Sequence, residues 1–445
     1  MQADHHLPER YSPAYRNFVL ALLVLVYVFN FIDRQLMTIL LEPIKAEFGA
    51  SDTAMGFLTG FAFALFYATL GLPIARLADR WSRRNVLSIS VILWSVMTSL
   101  CAGASGFLQM ALLRVGVGVG EAGGTPPSQS LIADYFPPHQ RSTAMGIHST
   151  GSQIGVLLGM FGGAVIADQL GWRMAFIIFG VPGVVIGLLV ALLIKEPVKP
   201  KPPQESLLQS MRQLWALPAF MQLSLATAFT ALSGYGLGTW FPSFLIRVHG
   251  VSLVEAGLIL GLAGTFAGLA GAITGGLLCD RLCQRDTRWQ LRLPAIGAGL
   301  SLIFMALFLL WPSQQFWLIQ DFHLPVAVVF FVFGGFFSAF WLGPTYAAVQ
   351  TLSPSHLRTQ ASAMLMLLLN LIGMGLGPVL IGTLSDIFTP TLGEQAIRYA
   401  MLVSLAAVAI GSLLYWRAAQ AYGDHMDRST GEDNMSKNNT VADIT

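Results

Sequence analysis

The chain alternates long apolar runs with short polar breaks. Twelve runs are long enough to cross ~30 Å of hydrocarbon at 1.5 Å per residue as helices. The first six cover 17–41, 53–76, 84–104, 107–133, 141–167 and 173–194. The second six cover 218–246, 253–278, 290–312, 324–350, 357–384 and 396–418. No run alternates polar and apolar positions with period two over ~10 residues, so the pattern argues against a β-barrel. The prediction is an all-α membrane protein of twelve transmembrane helices in two bundles of six. Its parts are an N-terminus (1–16), a first bundle (17–194), a linker (195–217), a second bundle (218–418) and a polar, disordered tail (419–445).

The breaks carry the charge. The segment "KEPVKPKPPQES" separates the halves, and its prolines and lysines read as a solvated linker. Lysine and arginine concentrate in every second loop. Only Lys45, Arg173, Arg247 and Arg398 fall in the other set. Positive charge is retained inside, so both termini are expected in the cytoplasm.

Of 445 residues, 54% are hydrophobic and 11% charged, well under the quarter usual in soluble proteins. A net charge of +2 says nothing about nucleic acid, but the chain has no basic arm and no zinc-finger or helix-turn-helix spacing, so no nucleic-acid partner is expected. Three cysteines are too few for a disulfide framework, and the Cys279–Cys283 spacing lacks the further ligands a metal needs. His5, His6, His139 and His356 lie at the terminus or in loops, and no Ser-His-Asp set converges. The expectation is no enzyme, no metal and no cofactor beyond a coupling proton.

The halves echo each other. Leu-x-Asp-Arg ends the second run of each, as Asp79-Arg80 and Asp280-Arg281. Pro-x-His-x-Arg follows the fourth run of each, ending at Arg141 and Arg358. A duplicated six-helix unit is an architecture of secondary transporters.

These motifs resemble the major facilitator superfamily. "ARLADRWSRR" is similar to its Gly-x-Leu-Ala-Asp-Arg-x-Gly-Arg-Arg signature, with Ala75 and Ser82 in place of the glycines. "RVGVGVGEAGG" is similar to its Arg-x-x-x-Gly-x-Gly motif through Arg114, Gly118 and Gly120. Within the superfamily, "NFIDR" and "GEAGGTPPSQSLIADYFPPHQR" resemble the spinster-like subfamily. That resemblance implies a carrier of lysolipid-like substrates, with proton coupling in bacterial relatives, in the bacterial inner membrane.

Four charges sit inside runs: Asp33 and Arg34 in the first, Arg114 and Glu121 in the fourth. Each costs roughly 2.5–3.5 kcal/mol at the bilayer centre even on the lenient insertion scale, so each needs a partner or water. Adjacent residues point about 100° apart, so Asp33 and Arg34 face different neighbours. Asp33 and Arg114 lie at similar depth, about 10–12 Å from the ends of their runs, and are expected to pair. Glu121 lies two turns deeper, within reach of Arg34. A carboxylate can lose its charge where arginine cannot. Asp33 and Glu121 are therefore the candidate proton sites, Arg34 and Arg114 the charges competing for them or holding an anionic head, and Asn30 an orienting amide. A static ion-pair cluster is the alternative.

Asp79, Arg80, Arg83 and Arg84, with Asp134, Arg141, Asp280 and Arg281, are candidates for a cytoplasmic gate, Asp134 pairing with one of the arginines. Charge retained inside for topology alone is the plainer alternative. Tyr235, Trp240, Phe336, Trp341 and Asn370 are candidates to line the second half of a cavity. Three carriers stay open: a proton-coupled amphiphile transporter, an organic-anion symporter and a multidrug exporter. The expected partners are membrane lipid and a small amphiphilic or anionic substrate, handled by a monomer.

Overall fold

The computed structural model describes residues 11–197, 212–319, 322–353 and 357–442. The side chains of Leu72, Asp79, Pro138, His139, Ser142, Thr359 and 428–442 are outside that description, as is most of the expected linker. Among the described residues the architecture is helical apart from one short hairpin, and nine helices are long and apolar enough to cross a membrane. Grouped by the twelve expected runs, the helical segments fall into two sets of six.

The first set begins with α1 (Pro13–Ile39), started by Ser12, whose hydroxyl accepts from the Tyr15 amide. α2 runs from 52 to 80 through a π turn at Phe57–Phe61. α3 is Arg83–Cys101. α4 comes in two pieces, Phe107–Glu121 and Thr125–Tyr135. Pro126 and Pro127 open the second piece, where missing amide donors cost nothing. α5 spans 138–170 around a π turn at Leu158–Gly162, and α6 is Trp172–Leu193.

The second set has α7 (Pro218–His249), closed by left-handed Gly250 at φ 66°, and α8 (Leu253–Cys283), opened by a Ser252–Glu255 capping box. α9 is Trp289–Leu310. α10 spans 328–352 and tightens to a 3₁₀ turn at Ala339–Trp341, where Pro344 cannot close the next hydrogen bond. α11 spans 358–392 with a π turn at Leu369–Leu376, ahead of Pro378. α12 is Ala396–Ala442.

Three elements depart from expectation. A short helix, Leu41–Phe48, follows α1. Strands β1 (Phe316–Ile319) and β2 (Phe322–Pro325) form an antiparallel hairpin before α10. The twelfth helix continues to Ala442, where a disordered tail was expected after 418. Arg288 holds the extension by pairing with Asp424 at 3.3 Å and Asp427 at 3.5 Å.

Two compact units emerge: residues 1–40 with 69–202, and 41–68 with 203–445. In the first, α5 lies against α1 along a glycine seam. A Cβ on Gly155 would stand 2.5 Å from the Val28 carbonyl oxygen, and one on Gly159 would stand 2.7 Å from the Gln35 Cβ. In the second, Gly271 and Gly275 of α8 and Gly297 of α9 press on the backbone of α10 at Phe336–Phe340. Small residues let helix backbones approach where lipid supplies no hydrophobic drive.

Candidate functional site

The buried charges meet inside the first unit. α1 presents Asn30, Asp33 and Arg34; α4 presents Arg114 and Glu121; α3 adds Thr98. Glycines bring α4 close to α3: a Cβ on Gly120 would lie 2.7 Å from the Trp94 nitrogen. Glu121 falls at the last turn before the Pro126 break, at the negative end of a helical segment, so its charge must be met from outside that segment.

Two linked pairs result. Arg114 Nη1 donates to Asp33 Oδ2 at 3.2 Å, and Thr98 Oγ1 donates to Asp33 Oδ1 at 2.6 Å. Arg34 Nε donates to Glu121 Oε2 at 2.7 Å, and Asn30 Nδ2 reaches the same oxygen at 2.8 Å. Glu121 is wholly buried, whereas the Arg34 side chain is 16% exposed and lies 5.4 Å from the Phe31 ring centre. Glu121 Oε1 and Asn30 Oδ1 are buried with no hydrogen-bond partner among the described residues. The arrangement is a buried carboxylate with one oxygen bonded twice and one without a hydrogen-bond partner among the described residues, next to a partly exposed cation.

A second cluster lies at the arginine-rich end of the same unit. Arg83 Nη1 pairs with Asp134 at 2.5 Å and donates to Ser130 at 2.8 Å. Glu196, beyond α6, accepts from the Ser82 hydroxyl at 2.9 Å, the Arg84 amide at 2.8 Å and the Arg83 amide at 3.2 Å. Burial opposes the Glu196 charge, but these donors and the Arg83 guanidinium outweigh it and hold the carboxyl below its usual range. Ser82, where the signature has glycine, also caps α3. Arg84 reaches the Ile194 carbonyl and Arg141 the Phe136 carbonyl. These described partners of Arg83 all belong to the first unit, so the cluster ties that unit together. Arg80 is exposed, and Asp79 lies outside the described side chains. Asp280 and Arg281 are exposed; the nearby ion pair joins Arg292 to Asp286.

A third cluster was not legible in the sequence. It sits in the second unit, which the first-half segment 41–68 joins. Arg247 of α7 grips Asp52 at 2.7 and 2.8 Å and Glu42 at 2.7 Å. Lys45 and Ser385 also hold Asp52, at 2.5 and 2.6 Å. Asp386 accepts from the Asp52 and Thr53 amides at 2.9 and 2.7 Å, so a carboxylate of α11 caps the start of α2. Glycine backs this contact, since a Cβ on Gly56 would strike the Pro378 carbonyl.

The aromatic candidates divide. Tyr235 and Trp341 line a 380 Å³ cavity in the second unit. Trp240 is fully buried and donates Nε1 to the Pro378 carbonyl; Phe336 meets Phe337 and Phe340 edge to face; Asn370 lies in the α11 π turn. None of these three lines the cavity. The expectation that no histidine lies inside a span is corrected by His148, which falls in the run 141–167, is buried in α5 and is stacked on Tyr27 at 4.5 Å.

Fold and charged core together define a polytopic membrane carrier. The Major Facilitator Superfamily profile matches residues 23–378. The chain belongs to that superfamily. It is 35% identical over 94% of its length, and 95% of the relative's, to an MFS-type efflux pump of Mycolicibacterium smegmatis. It is 25% identical to a probable galactarate/D-glucarate transporter of Bacillus subtilis, over 66% of this chain and 71% of that one. Among solved structures it is similar to a bacterial homologue of the human lysosomal transporter spinster, described as inward-facing and unoccupied. That match has a TM-score of 0.80 and 30% identity, covering 93% of this chain and 98% of the other. The spinster-like resemblance read from "NFIDR" thus extends over the whole fold.

Proposed function

We propose that the protein is a proton-coupled secondary transporter working by alternating access on an amphiphilic or anionic organic substrate. The observation that carries this is Glu121: buried, bound on one oxygen by Arg34 and Asn30, and open on the other. A proton arriving at Oε1 removes the charge that Arg34 Nε meets on Glu121. The guanidinium, already partly exposed, can then turn toward an anionic head and hold it bidentately. Asp33 and Arg114 form the second half of the relay, with Thr98 keeping Asp33 oriented. We place the protein in a bacterial cytoplasmic membrane with the Arg83 end and both termini inside, following the concentration of arginine in alternate loops.

A second reading is proton-linked carriage of small organic anions. The exposure of Arg34 supports it, as does the named substrate of the Bacillus relative. Proteoliposomes with an internal pH dye test the coupling. Adding a transported lysolipid or hexarate should move protons in wild type and not in Glu121→Gln. Substrate flux without proton movement would overturn the reading.

A further inference from the structure

The 380 Å³ cavity lies wholly within the second unit, walled by α7, α8, α9, α10 and α12, and shares no residue with the charged core. Its size is at the lower end for small-molecule sites, suited to part of a larger ligand. No charged residue lines it. Of its five hydroxyls, Thr230 bonds the Ala226 carbonyl, Ser338 the Gly335 carbonyl, and Tyr415 both Thr227 and Thr345; Ser301 and Tyr235 supply the other two. The rest of the lining is apolar, and a charged group would be desolvated there without a counter-charge. It offers dispersion contacts from Phe241, Phe331, Met305 and Leu405, which an empty cavity forfeits.

Glycine makes the space. A Cβ on Gly234 of α7 or Gly268 of α8 would meet nothing within 4 Å, although both residues line the cavity. Elsewhere in this unit glycines such as Gly271 and Gly275 are filled by a neighbouring helix. Here the missing side chains leave room that no other part of the unit occupies.

We infer that this cavity binds a single alkyl chain, supplied by the tail of the transported amphiphile or by a bilayer lipid. The inference deepens the amphiphile reading above and names the part of the substrate that the second unit recognises.

Trp341, in the wall, reports on it. Purified full-length protein is titrated with a lysolipid brominated along its acyl chain. Wild type and Trp341→Phe are compared to isolate the Trp341 signal. Bromine quenches that signal at contact, and filling the cavity by Gly268→Leu should reduce the quenching at least five-fold. Gly276→Leu on the same helix, outside the cavity, should leave it unchanged. Gly234→Leu repeats the test should Gly268→Leu not fold. Reconstitution into brominated phospholipid without the lysolipid distinguishes the sources: quenching there assigns the chain to the bilayer, and its absence assigns it to the amphiphile. Glu121→Gln should retain full quenching, so loss of proton coupling and loss of chain binding are read separately. Equal quenching in Gly268→Leu and Gly276→Leu, or none in wild type, overturns the inference.

Discussion

Asp33 and Arg114 are 4% and 2% exposed, so their pairing is made out of contact with water. Breaking a buried pair from one side costs about 3–5 kcal/mol. Asp33→Asn should therefore lower the melting temperature sharply, and Asp33→Asn with Arg114→Gln should lower it less than the two single losses summed. Thermal unfolding in detergent measures both. This pair was legible because helix rise gives depth, and depth matched the two residues. Thr98 was not legible, since one hydroxyl in an apolar run has no pattern that marks it. Glu196 was hidden in a linker that composition alone calls solvated. Its carboxyl is held below the ordinary 4.5, so its stabilisation is complete above that value and is lost as pH falls through the lower folded value. Glu196→Gln should be less stable than wild type at pH 6, and the gap should close below pH 4.5. A pH series of melting curves checks this.

Helices assert themselves through packing that hydropathy does not report. The spans were readable because apolar length alone selects them. Gly151, Gly155, Gly159 and Gly163 recur every four residues along α5, a spacing that cannot say which helix they meet. The structure puts them against α1, the helix that carries Asp33 and Arg34. Gly155→Ala should overpack that seam at about 1–3 kcal/mol and reduce transport, while Gly146→Ala, facing open space, should do neither. The capping of α2 by Asp386 was invisible in sequence because the partners are over 300 residues apart. Asp386→Asn should speed amide hydrogen exchange at Asp52 and Thr53, and leave exchange at the first turn of α8, which has its own capping box, unchanged. The continuation of α12 was missed because polar composition was read as disorder. Arg288 with Asp424 and Asp427 gives that stretch a packing partner.

At the scale of the whole molecule, the charges lie asymmetrically. The first unit holds Asp33, Arg114 and Glu121, all buried, and the partly exposed Arg34 in linked pairs. The second holds an uncharged cavity and, at one end, a network that captures the segment following α1. The sequence showed this division as charged runs in one half and aromatic runs in the other. It could not separate Tyr235 and Trp341, which line the cavity, from Trp240, which is packed, because all three are aromatics in apolar runs. The central claim is that Glu121 exchanges Arg34 for a proton. The most direct measurement is tryptophan fluorescence of the purified protein against pH, for wild type, Glu121→Gln and Asp33→Asn, with folding of each verified by circular dichroism. A transition between about pH 5 and 8 in wild type that is absent in Glu121→Gln is the predicted result. A transition of the same midpoint and amplitude in Glu121→Gln would contradict it.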